Sequence, residues 1–206
     1  MLITDDRLLA GRDPVELAQR AVRGGVTSVQ LRLKAASARE LLELARRLRA
    51  ALPVPVLVND RPDVAAAAGC GVHLGPEDLP AYLARRILPP GTLIGASVGT
   101  EAEAARVLAH SDEDAGATYW GVGPWRVTET KRDAGEPIGV EGFRRIVALS
   151  HGRPCIAIGA VRPEDVPAVL AAGGVGVAVV SGILGADDVE AAARRYAEAG
   201  RKKGER

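Results

Sequence analysis

Short β-branched apolar runs alternate with segments of helical period from one end of the chain to the other. The runs at 2–5, 28–33, 54–59, 71–74, 93–98, 119–123, 155–159 and 176–180 predict eight strands. Between them, apolar residues recur at i, i+3 and i+4. Leu41, Leu44, Ala45 and Leu48 share one face of a helix whose other face carries Glu40, Glu43, Arg46, Arg47 and Arg49. Ser37 stands three residues before Glu40, the spacing of a capping box. Pro14, Pro62 and Pro163 fall where first helical turns begin, and Gly24-Gly25, Gly69, Gly116 and Gly173-Gly174 follow helical segments. Nearly continuous apolar strands in strict β-α alternation predict a parallel sheet covered by helices. Eight such units in 206 residues predict an α/β single-domain (β/α)8 TIM barrel, with an open doubly wound sheet as the alternative. No linker or composition shift divides residues 1–206, and 201–206 reads as a frayed, solvated tail.

Composition narrows the function classes. Hydrophobic residues make up 47% and charged residues 26%, with a net charge of +1 and the signs interspersed. That pattern predicts neither a nucleic-acid nor a membrane surface. Aromatics are only 3%, so Val, Leu, Ile and Ala must fill the core. Cys70 and Cys155 lack metal spacing and read as buried free thiols. The opening residues show no leader pattern, and no apolar run reaches membrane-spanning length, so a cytoplasmic location is expected. A homo-oligomer is compatible with the sequence.

Arginine serves almost everywhere a cation is needed. Ahead of the tail, lysine is kept only at Lys34 and Lys131, and asparagine only at Asn59, each just before or within a loop after an apolar run. Lysine is a compact point charge and is not interchangeable with arginine where phosphate is met. In a (β/α)8 barrel the active site is built at the C-terminal ends of the strands. Strand 2 places Gln30, Arg32 and Lys34 on one face, an arrangement that needs an anionic partner if it points inward. An outward-facing row, or an internal ion pair to Asp5, is the bland alternative. Asp60 and Asp78 follow strands 3 and 4. Two carboxylates without thiolates suit a hard ion such as Mg²⁺, or an acid/base pair. Asp78 could instead simply cap a helix over 79–86. The loop 124–137 carries Thr128, Glu129, Thr130 and Lys131. Gly159 and Ser181 stand after strands 7 and 8, where backbone N–H groups make the recurring phosphate site of such barrels. His110 and His151 fall at helix ends, and Cys155 at the far end of its strand. The inventory is rich in phosphate binders and shows no convincing nucleophile–base couple, which suits displacement of a diphosphate.

Several separate stretches in order resemble the thiamine phosphate synthase family. They are GVTSVQLRLK at 25–34, VNDRPDVA at 58–65, GVHLGPEDLP at 71–80, GVGP at 121–124, TETK at 128–131 and VVS at 179–181. The resemblance implies a Mg²⁺-dependent transferase that joins hydroxymethylpyrimidine diphosphate to hydroxyethylthiazole phosphate, giving thiamine phosphate and pyrophosphate by a dissociative displacement. It implies phosphorylated small molecules as partners. Arg32, Lys34, Asn59 and Lys131 would hold the diphosphate, and Asp60 and Asp78 the Mg²⁺. Gln30 and Ser97 would line the pyrimidine side, while Thr128, Thr130, Gly159, Val180 and Ser181 would hold the thiazole phosphate. Three positions depart from the family: Met1 in place of a tyrosine, Gly99 in place of a histidine, and Ala160 in place of the second glycine of a pair. A thiazole tautomerase of the same superfamily leans on that missing histidine and is the first alternative. A non-enzymatic thiamine-related binding or regulatory protein is the second.

Overall fold

In a computed structural model of the chain, all residues are described except 10, 110–115, 129–134 and 202–206. All eight expected strands form: β1 Leu2–Ile3, β2 Val29–Leu31, β3 Val56–Asn59, β4 Gly71–Leu74, β5 Ile94–Val98, β6 Tyr119–Val122, β7 Cys155–Ala157 and β8 Gly176–Val177. They pair in parallel in sequence order. The ring closes where Ile3 N–H donates to the Val179 carbonyl (2.9 Å) and Val179 N–H donates to that of Met1 (3.0 Å). The barrel is therefore closed, and the open-sheet alternative fails. The helices among the described residues are α1 Asp6–Leu9, α2 Pro14–Arg23, α3 Ala38–Ala51, α4 Pro62–Ala68, α5 Ala81–Ile87, α6 Glu101–Leu108, α7 Gly139–Ala148, α8 Val166–Ala171, α9 Ser181–Leu184 and α10 Val189–Arg201. A 3₁₀ turn, Pro163–Asp165, leads into α8. None of these helices is long and apolar enough to cross a membrane.

Several strands are shorter than the apolar runs that predict them. Pro53 and Pro55 have no N–H to give a ladder, so β3 begins only at Val56. At the other end, β8 stops at Val177 although Ala178 still donates to the Ala157 carbonyl. Local chemistry sets the helix ends. Ser37 and Glu40 bond reciprocally across the first turn of α3, as their spacing predicts, and Thr100 and Glu103 do the same for α6. Gly24 closes α2 where a Cβ would overlap the Glu190 carbonyl and Ala193 of α10, so only glycine lets these two helices pack this closely.

The period of two along each strand separates two environments. Val29, Leu31, Val56, Val58, Val72, Ile94, Ala96, Trp120, Val122, Cys155 and Ala157 face outward into one apolar cluster with the helices. The alternate residues face the barrel axis, and many are polar or glycine. Asn59, His73, Gly95 and Tyr119 lie side by side in register on β3, β4, β5 and β6. Barrel interiors are ordinarily filled by bulky branched side chains. A polar interior layer here marks the part of the fold given over to chemistry.

Candidate active site

The inner layer begins with Gln30, 2% exposed, whose Nε2 donates to Asn59 Oδ1 at 2.7 Å. That bond fixes the amide and leaves Gln30 Oε1 buried without a protein partner among the described residues. A buried carbonyl oxygen held this way is an acceptor in need of a ligand. One turn of the pleat further on, Arg32 pairs with Asp5 at 3.3 Å, both side chains largely shielded. The Thr4 hydroxyl holds this strand exit, accepting from Arg32 N–H at 2.8 Å. The internal ion pair named above as a bland alternative therefore exists, and Arg32 also lines the central cavity. Lys34 is exposed, with its backbone N–H held by Asp6 (2.9 Å).

Asp60 sits at φ 63°, in the left-handed region that Asp tolerates better than most residues, and its N–H donates to the His73 carbonyl. Burial, the hydrogen bond to Asp78 and the Asp78 charge raise its pKa from 3.8 to about 6, against the pull of Lys34 and Arg32. The same balance shows that Asp78, Lys34 and Arg32 all act on Asp60: four charged groups from three strand exits converge on one rim. Asp78 does not cap a helix. Its Oδ2 accepts the Gly75 N–H at 2.6 Å, and α5 starts after Pro80, two residues later than the 79–86 reading, with no side-chain cap. Proline at 80 presets the turn and moves the first helical residue to 81. Two carboxylates this close are a donor set for a hard divalent cation, which would relieve their repulsion. No group of three or more His, Cys, Asp or Glu side chains is gathered among the described residues. Such an ion would need water or substrate oxygens to complete its shell.

Across the barrel mouth, one cavity is lined by Arg32, Ser97, Gly99, Glu103, Thr128, Gly159, Ala160, Val180, Ser181 and Gly182. The β6 exit is stitched to the β7 exit by Trp125 N–H to the Ile158 carbonyl (2.7 Å) and Arg126 N–H to that of Gly159 (3.0 Å). The Arg126 guanidinium forks onto both oxygens of Asp165. Gly159 has φ 96°, and a Cβ there would lie 2.8 Å from the Pro124 Cα, so the close approach of these loops needs glycine. Ala160, at φ 49°, holds a left-handed conformation without that freedom. Thr130 and Lys131 lie outside the described residues, as does His110. His151 is exposed, and Cys155 is buried at the start of β7, away from the cavity.

The sequence reading missed His73, Tyr119 and Glu103. His73 Nδ1 lies 2.9 Å from the Tyr119 hydroxyl, and its Nε2 lies 3.0 Å from Ser97 Oγ. A serine–histidine couple therefore does exist, contrary to the inventory above. Its third member is a phenol rather than a carboxylate, and burial pushes that phenol's pKa upward. A neutral phenol gives an imidazolium none of the support that a carboxylate would. His73 shares the inward phase of Asn59, and two in-strand glycines, Gly95 and Gly121, were the available signal of something bulky facing them.

The model of the family described as thiamine monophosphate synthase matches residues 1–183. The chain belongs to that family. It is 44% identical over 201 residues to a thiamine-phosphate synthase of Moorella thermoacetica, covering 96% of this chain and 93% of the relative. It is 44% identical over 200 residues to the enzyme of that name from Archaeoglobus fulgidus, covering 95% and 90%. Among solved structures it is similar to a thiamine phosphate pyrophosphorylase from Pyrococcus furiosus, with TM-score 0.82, 36% identity and coverage of 97% and 94%. An orotidine 5'-phosphate decarboxylase from Pyrococcus horikoshii, with TM-score 0.71 at 14% identity, shares the barrel alone.

Proposed function

We propose that this member of the thiamine monophosphate synthase family joins hydroxymethylpyrimidine diphosphate to hydroxyethylthiazole phosphate. The observation that carries the reading is the convergence of Arg32, Lys34, Asp60 and Asp78 on one rim, beside a cavity whose other wall holds Thr128, Gly159, Val180 and Ser181. Two cations and a carboxylate pair suit a diphosphate with its metal. Hydroxyls and loop backbone suit a second, smaller phosphate. Arg32, Lys34, Asn59 and Lys131 hold the diphosphate. Gln30 and Ser97 face the pyrimidine, and Thr128, Thr130, Gly159, Val180 and Ser181 take the thiazole phosphate. Asp60 and Asp78 hold Mg²⁺, which when bound neutralises charge on the departing diphosphate. The methylene–oxygen bond breaks with its electron pair leaving on pyrophosphate, and the thiazole nitrogen lone pair forms the new C–N bond. That nitrogen carries no proton, so the step requires no base. What the protein supplies is charge placement and orientation.

The tautomerase alternative leans on a histidine at position 99. A Cβ there would lie 2.5 Å from the Gly123 carbonyl oxygen, so this backbone has no room for one. Incubation of purified protein with both substrates and Mg²⁺ tests the proposal. Equal amounts of pyrophosphate and thiamine phosphate are expected. A rearranged thiazole without pyrophosphate would overturn the reading.

A further inference from the structure

The buried pair Tyr119–His73 is used by no step above, yet it ends on a cavity-lining hydroxyl. We propose that His73, locked by Tyr119, is a positioning residue that makes the Ser97 hydroxyl a hydrogen-bond donor toward an unprotonated ring nitrogen of the heteroaromatic substrate. The proposal rests on the synthase reading for the identity of that ring, but the lock itself follows from geometry.

His73 and Tyr119 are only 6% and 8% exposed and belong to strands separated by β5. They meet because β5 carries Gly95 between them, where any Cβ would overlap the phenol and the imidazole alike. On β6, a Cβ at Gly121 would come 2.9 Å from His73 Cε1. Two glycines in the inner face thus open a slot shaped for this imidazole.

The direction of the bonds follows from counting donors. Tyr119 stays a neutral phenol, because burial raises its pKa. Its hydroxyl faces His73 Nδ1, and a buried O–H left unbonded costs about 1–3 kcal/mol. The phenol therefore donates to Nδ1. A neutral imidazole with a bare Nδ1 carries its proton on Nε2. That proton is donated to Ser97 Oγ, 3.0 Å away. With a lone pair so used, the Ser97 O–H is free to donate into the cavity that Ser97 lines. Were the other tautomer present, Ser97 would donate to His73 instead and show the cavity an oxygen lone pair. The lock thus sets the polarity of the wall. A ring nitrogen acceptor is welcome there, whereas an N–H or C–H at the same place is not.

Two measurements test this. Nitrogen-15 spectra of the wild-type protein should show His73 protonated on Nε2. A proton on Nδ1 would overturn the proposal whatever the activity. In kinetics, Tyr119→Phe and Ser97→Ala should each raise KM for the pyrimidine diphosphate about three- to tenfold, one neutral hydrogen bond's worth, and leave KM for the thiazole phosphate unchanged. Since Tyr119 acts through Ser97, Tyr119→Phe added to Ser97→Ala should cause no further loss. His73→Gln, which keeps a donor toward Ser97, should retain more affinity than His73→Leu. Multiplying losses in the double variant, or an unchanged KM in Tyr119→Phe, would refute the lock. Absence of pyrophosphate release by the wild type would instead refute the synthase reading, with the spectra still deciding the tautomer.

Discussion

Replacing Asp60 with asparagine should stabilise the metal-free protein while removing its response to Mg²⁺. Asp60 titrates at about 6 in the fold against an ordinary 3.8, raised first by burial and then by Asp78. Because the folded value is the higher one, the pair favours folding below about pH 4. That contribution is lost as pH rises through 6. A gap of roughly 2 units corresponds to about 3 kcal/mol at pH 8. Asp60 keeps partial contact with water, so screening reduces this to about 1–2 kcal/mol. Asparagine removes the charge and tolerates the φ of 63°. For a chain of this size the melting temperature should rise by roughly 2–8 °C at pH 8 in chelator, and the gain should vanish near pH 4. Added Mg²⁺ should raise the melting temperature of the wild type and leave that of the variant where it was. Scanning calorimetry at the two pH values, with and without Mg²⁺, makes the comparison. A variant that melts no higher than wild type at pH 8, or whose gain is equal at both pH values, would show that the two carboxylates are not in conflict.

Other expectations concern the rim loops. Ala160→Gly should release the left-handed strain at φ 49° and stabilise by about 0.5–1 kcal/mol after the extra freedom of the unfolded chain is set against it, read as a shift in denaturant midpoint. Gly99→Ala should destabilise by about 1–3 kcal/mol, because the Gly123 carbonyl 2.5 Å away is backbone and must move; urea titration measures it. Lys131→Ala should slow pyrophosphate release by at least tenfold with the melting temperature unchanged, since its proposed role is to meet charge on the leaving group.

Much of this was legible from periodicity. Eight apolar runs became eight strands, and Ser37–Glu40 closed as a capping box because both partners lie within one turn. The phase of β2 put Gln30, Arg32 and Lys34 on one face. Gln30 is buried and Arg32 lines the cavity, but Lys34, past the end of the strand at Leu31, is exposed. What failed depended on distance along the chain. His73 and Tyr119 are 46 positions apart and meet only because register places Gly95 between them, which no local pattern encodes. Asp78 read equally well as a helix cap because a carboxylate ahead of a helical segment fits both roles. Only the bond to the Gly75 N–H and the neighbouring Asp60 decide between them.

The seam between β1 and β8 has a bearing on biosynthesis. During synthesis Leu2 and Ile3 leave the ribosome long before their partner Val179. Throughout translation the first strand waits with an unsatisfied edge, the kind of surface that invites pairing with a neighbouring nascent chain. Linking β8 directly to β1 and opening the ring at another loop would only move this seam to the strands flanking the cut. The seam is thus inherent in a closed ring, and its place along the chain decides which strand must wait for its partner.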